Sequence, residues 1–146
     1  MQRWRFDFIC EQAGKVKGFG GEELHGLLFR WLGKLAPEAA TILHNSRVKP
    51  FVIGPLANIS KIRAGWSFLE KGQQYTFDIT FLSSLYYGIA VYLSEHWPEQ
   101  EFQLGTATIV GVKAELSEQA SYRSLLLAAE PIREVKITFS TPTSFR

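Results

Sequence analysis

His44 stands five residues before Lys49 in the segment His44-Asn45-Ser46-Arg47-Val48-Lys49-Pro50-Phe51. Imidazole is the side chain whose ordinary pKa lies nearest neutral pH, so it can give or take a proton there. A neighbouring ammonium supplies a fixed positive charge for negative charge that develops in a transition state. Together the two could cleave a phosphodiester without a metal. The same pair also fits two surface residues near a turn, and on this segment alone that reading is the simpler one.

The surroundings add charge. No Asp or Glu occurs from His44 to Leu69, whereas Arg47, Lys49, Lys61 and Arg63 are basic. Such a stripe suits phosphate binding, and it equally suits an ordinary solvated face. His25 and Phe29 are one helical turn apart and lie on a flank of the first helix, where Phe29 could meet a base or pack under the next loop. His96 sits at a helix end, where it can interact with the last carbonyls. Gly18-Phe19-Gly20-Gly21 precedes a helix and could offer amides to a phosphate, although a turn explains it as well.

Other chemistries lack their residues. There is no G-x-x-x-x-G-K-[ST], no G-x-G-x-x-G after a strand, no H-E-x-x-H and no C-x-x-C. Three scattered histidines and the single Cys10 make no zinc set, so neither a metal nor a cofactor is expected. Cys10 follows an apolar alternation and is expected to pack as a small hydrophobe. No apolar run approaches the length of a membrane span, which points to a soluble, cytoplasmic protein.

The elements that must position these residues follow from periodicity. With 146 residues and 46% hydrophobic content, the chain can bury one core. Arg3 to Ile9 alternates as a half-buried strand, with Trp4, Phe6 and Phe8 inward. Gly14 to Gly21 reads as a loop. Glu22 and Glu23 open a helix, where acids suit the dipole, and Leu24, Leu27, Leu28, Trp31 and Leu32 form its apolar stripe. Pro37 starts a second helix that runs to about His44. Phe51 to Ile53 is a strand broken at Gly54-Pro55.

Trp66 to Leu69 and Tyr75 to Phe81 read as a hairpin about Lys71-Gly72. Ser83 to His96 reads as a helix capped by Ser83 or Ser84, with Leu85, Ile89, Tyr92 and Leu93 buried and Pro98 blocking its continuation. Phe102 to Leu116 reads as a long strand or as a strand with a bulge near Gly105 or Gly111. Ser121 to Leu127 reads as short extended structure and Glu134 to Phe139 as a last strand. This order predicts an α+β fold: a ferredoxin-like (RRM-like) β-α-β-β-α-β domain with an antiparallel sheet over residues 1–139. Many functions use this fold, so it does not choose among them.

Several runs in order carry a resemblance. Leu24-His25-Gly26-Leu27-Leu28-Phe29-Arg30-Trp31-Leu32, Ala39-Ala40-Thr41-Ile42-Leu43-His44, and Lys49-Pro50-Phe51 followed by Gly54-Pro55-Leu56 resemble the N-terminal half of the CRISPR-associated endoribonucleases that process CRISPR repeat RNA, the Cas family numbered six. The tail Lys136-Ile137-Thr138-Phe139-Ser140-Thr141-Pro142-Thr143-Ser144-Phe145 is similar to the family's strand and turn leading into its second half. The resemblance implies two ferredoxin-like domains in tandem that cut precursor CRISPR RNA within its repeats, without metal. A 2′,3′-cyclic or 3′-phosphate and a 5′-hydroxyl result.

The family's catalytic histidine falls on His44 and its lysine on Lys49. A tyrosine found in some members falls on Phe29, which has no hydroxyl to donate. The resemblance further implies that residues 140–146 begin a linker or second domain. The Gly-rich loop of that second half would come from a longer chain or a partner. Partners expected on this basis are CRISPR repeat RNA, a second ferredoxin-like domain, other Cas proteins or a second copy of the chain. Phe29, Arg47, Lys61 and Arg63 are the expected RNA contacts. The alternative is a non-catalytic RNA- or protein-binding module on the same fold; a small-molecule enzyme is a third reading, for which no cofactor motif is found.

Overall fold

A computed structural model describes residues 1–47 and 49–129. Its centre is β1 (Gln2–Gln12), in which Trp4, Phe6, Phe8 and Cys10 alternate into the core. β1 pairs antiparallel with β6 (Gln74–Phe81) on one side and with β8 (Ala107–Gln119) on the other. Phe6 lies opposite Phe77 and Phe8 opposite Tyr75, so the aromatic rows of two strands stack on one face. β3 (Phe51–Ile53) pairs with the outer edge of β6, and β7 (Glu101–Leu104) with the outer edge of β8. The resulting five-stranded order is β3-β6-β1-β8-β7. Without β7, the four core strands in chain order β1, β3, β6, β8 lie 4-1-3-2 in space. The fold is α+β and ferredoxin-like.

α1 (Gly21–Leu35) buries Leu24, Leu27, Leu28, Trp31 and Leu32 against that face, as the stripe predicts. Trp31 meets Phe6 edge-on at 6.3 Å. Trp97, just past α3 (Tyr87–Glu95), also meets Phe6 edge-on, at 5.3 Å, and its indole N–H donates to the carbonyl of Asp7 at 2.6 Å. α2 (Pro37–Asn45) begins at its proline and sends Leu43 into the core. The opposite sheet face is polar, with Arg3 paired to Glu118 at 3.0 Å and Arg5 to Asp78 at 3.5 Å.

The structure corrects several expectations. Gly14–Lys17 is β2, not loop; it pairs with β5 (Trp66–Leu69), which also pairs with β4 (Ile62–Arg63). Trp66–Leu69 and Tyr75–Phe81 are therefore not a hairpin: β5 belongs to a three-stranded sheet of order β2-β5-β4, and β6 to the large one. The chain parts at Gly72, whose φ of 80° leads it back to β1, and Gly72 N–H donates to the Cys10 carbonyl at 2.7 Å. The second strand of the ferredoxin unit is β3 instead.

The long strand expected over Phe102 to Leu116 is divided at Gly105, with φ 61°, into the hairpin β7–β8. The register shift opposite Asp7/Phe8 does place a bulge beside Gly111. Ser83 caps as expected by accepting from Leu85 N–H at 3.3 Å, but a 3-10 turn (Ser84–Tyr86) precedes α3. That turn swings Leu85 outward to 86% exposure, and Tyr92 is exposed too, so Ala90, Leu93 and Ser94 form the buried face, with Ile89 half-buried beside them. Tyr122–Ala128 is a helix, α4, rather than extended structure, because Ser121 and Ser124 close a capping box. The strand expected at Glu134 to Phe139 and the linker at 140–146 lie outside the described residues.

Candidate functional site

Three elements meet where the chain turns from helix to sheet. α2 ends at Asn45, Arg47 and Lys49 follow, and β3 begins at Phe51. The Pro50 carbonyl accepts from Leu82 N–H at 2.8 Å, which ties this segment to the end of β6. His44 lies in the last turn of α2, exposed, where a positive charge suits the helix dipole.

Lys49 folds back onto the same helix end. Its Nζ donates to the carbonyl of Leu43 at 3.1 Å and, more closely, to that of His44. These are carbonyls that a helix terminus leaves without partners, so Lys49 caps α2. The cap also holds an ammonium beside the His44 backbone. The spacing of five residues thus does bring His44 and Lys49 together.

The aromatic residues of α1 and β3 pack beneath. Phe29 is half-buried and meets the His44 ring edge-on at 5.5 Å and Phe51 at 5.9 Å. On its other side it meets His25 at 4.8 Å. His25 also stacks on Phe51 at 6.2 Å. Phe51 in turn reaches the core at Phe81, 6.4 Å away. Phe29 is therefore a wedge between two imidazoles, with part of its ring left open to a ligand.

His25 is the member that the sequence did not single out as chemical. Burial pushes its pKa below the ordinary 6.5, and the positive charges of Lys49 and His44 push it the same way. Neutral imidazole is therefore its favoured form near neutral pH. The available signal was its one-turn spacing from Phe29, which places both on one flank of α1. Two imidazoles and an ammonium at one corner can accept a proton, donate a proton and stabilise an anion.

The other expected contacts are distributed differently. Arg47 is exposed in the segment between α2 and β3. Lys61 precedes β4 and Arg63 lies within it, on the small sheet rather than the large one. The four cations of the 44–69 stretch are thus carried by separate parts of the fold. His96 Nδ1 lies 2.8 Å from the Tyr92 carbonyl at the end of α3, as its position suggested. Gly18 and Gly20 take φ values of 54° and 77° in the turn before α1, which explains those glycines conformationally. Among the described residues no group of three or more His, Cys, Asp or Glu side chains is placed to hold a metal. No helix among them is long and apolar enough to cross a membrane.

No protein-family model matches the chain, and neither does any curated protein. Solved structures do. An RAMP protein binding different RNA substrates aligns with a TM-score of 0.62 at 10% identity, over 83% of this chain and 50% of its own. The CRISPR associated protein Cas6 aligns at 0.56 with 16% identity, over 82% and 49%. A Cas6 product complex aligns at 0.55 with 20% identity, over 77% and 39%. The chain spans about half the length, or less, of these proteins. Over most of its described length it resembles Cas6 and RAMP proteins in fold.

Proposed function

We propose that the chain binds CRISPR repeat RNA and cleaves precursor transcripts within the repeat by metal-independent attack of a ribose 2′-OH. The observation that carries this reading is the convergence of His25, His44 and Lys49 at one solvent-open corner of a Cas6-like fold. The 2′-oxygen bonds to the adjacent phosphorus as its proton passes to an imidazole. The bond from phosphorus to the 5′-oxygen breaks, and that oxygen takes a proton from the second imidazole. The products are a 2′,3′-cyclic phosphate and a 5′-hydroxyl, so atoms and charge balance.

His25, held neutral by its surroundings, suits the accepting role, which leaves donation to His44. A positioned acid or base commonly contributes about 10²–10⁴-fold. Lys49 stabilises charge on the phosphorane-like transition state. Arg47, Lys61 and Arg63 hold the backbone, which makes affinity fall with salt. The open part of the Phe29 ring offers a surface for an unpaired base. A second ferredoxin-like half completes the grip on RNA, in a longer chain, another Cas protein or a second copy.

One observation favours the rival reading, a non-catalytic RNA- or protein-binding module: the Lys49 ammonium is engaged by helix carbonyls. A gel shift and a cleavage assay on the same repeat RNA separate the two. The nuclease reading predicts that a 2′-deoxy sugar at the scissile position leaves binding intact and stops cutting. It also predicts that His44→Ala binds and does not cut. Cutting of the deoxy substrate, a requirement for Mg²⁺, or normal cutting by His44→Ala overturns it.

A further inference from the structure

On the proposed reading Lys61 and Arg63 hold the RNA backbone, and the small sheet at which they lie carries a wider pattern. Residues directly opposite in an antiparallel sheet share a face. Lys17 lies opposite Trp66, and Trp66 opposite Arg63. Lys15 lies opposite Phe68, whose N–H donates to the Lys61 carbonyl at 3.0 Å. The outward face of β2-β5-β4 therefore holds two rows, Lys17–Trp66–Arg63 and Lys15–Phe68–Lys61. Each is an aromatic ring flanked by two cations. The other face holds Val16, Ser67 and Leu69, which are buried, and at its β4 edge Ile62, which is exposed.

The contacts within the face are already of the required kind. Lys15 Nζ sits over the Trp66 ring at 4.5 Å and Lys61 Nζ over Phe68 at 5.8 Å. A shallow hollow of about 360 Å³ opens between Lys15, Lys61 and Phe68, with Glu70 the acidic residue on its wall. The platform is held rigid. The β4–β5 turn is Ala64-Gly65, with φ 51° and 78°, the left-handed pair of a two-residue hairpin turn. Gly18 N–H donates to the Gly65 carbonyl at 2.7 Å and locks that turn to the end of β2.

Aromatic rings spaced along a sheet and bordered by flexible lysines, which can swing from the rings to phosphates, are what stacked bases and their phosphates require. We propose that the outer face of the small sheet is a second RNA-binding surface, which takes single-stranded RNA by stacking bases on Trp66 and Phe68 and pairing phosphates with Lys15, Lys17, Lys61 and Arg63. It extends the RNA-binding reading but does not depend on cleavage. Acidic peptides could satisfy the cations but not the rings.

The full chain reports this site directly. Of its four tryptophans, Trp66 is 36% exposed, while Trp4, Trp31 and Trp97 are 7%, 3% and 0% exposed. An oligouridylate of about ten nucleotides, within the usual range of site sizes, is titrated into His44→Ala protein, so that cutting plays no part. Tryptophan emission and the anisotropy of labelled RNA are followed together. Emission is expected to quench as RNA binds. Trp66→Phe is expected to remove the quench while keeping most of the affinity. Trp66→Ala and Phe68→Ala are each expected to weaken binding about tenfold. Lys15→Ala is expected to lower the slope of log affinity against log salt by about 0.7. Binding without quench, equal binding of a polyglutamate peptide, or unchanged affinity in folded Phe68→Ala overturns the proposal. Loss of repeat cleavage alone leaves it standing.

Discussion

At His25, burial, the Lys49 ammonium and the His44 imidazole all oppose protonation. An NMR titration is expected to place its midpoint below 6.5 and to show it rising in Lys49→Met and in His44→Ala, since each variant removes a group that opposes its protonation. The unfolded chain binds a proton at His25 more readily than the native one, so this contribution is fully present above about pH 6.5. It is lost as pH falls below that value and through the depressed folded pKa. Unfolding by urea at pH 7.5 and 5.5 should show the loss, and His25→Ala should reduce the difference. Lys49→Met also removes the cap of α2, with an expected cost of about 0.3–1 kcal/mol, read as a lower denaturation midpoint. The short spacing of His44 and Lys49 made their proximity legible, while their reading as a candidate site came from the resemblance. His25 was not legible, because its chemistry comes from charges that only the packing of α1 against α2 brings near.

Among the elements, those whose periodicity is local were legible. β1 alternates through Trp4, Phe6 and Phe8, and α1 repeats leucines at helical spacing, so each declares its own buried face. Partner choice was less legible. β5 and β6 are neighbours in sequence and both alternate, yet they belong to different sheets, because the turn at Gly72 returns the chain to β1. Gly14–Lys17 was hidden by Gly14 and by Gly18, Gly20 and Gly21 after it, although Gly14 is required there: a Cβ would overlap the Ala107 backbone. Gly111 is a similar case. A Cβ on it would strike the carbonyl oxygen of Trp97, so Gly111→Ala is expected to lower stability, visible as an earlier thermal transition. Trp97 fills the space between the sheet and α1 and is fully buried. Trp97→Ala is expected to cost about 3–5 kcal/mol in urea unfolding, or to prevent folding.

For the whole molecule, the ferredoxin-like unit delivers the His44 corner at the edge of one sheet and a basic, aromatic face on the other. Both surfaces favour a polyanion, although the net formal charge is only +2. The RAMP and Cas6 structures that share the fold align with this chain over 39–50% of their own length. A saturating excess of protein offsets weak binding, so the proposed acid–base groups can be tested directly. The central claim is therefore open to one measurement: end-labelled repeat RNA incubated with a saturating excess of the full chain in EDTA. A single cut is expected that leaves a 2′,3′-cyclic phosphate and is abolished by a 2′-deoxy sugar at that position. RNA that is fully bound and remains intact would contradict it.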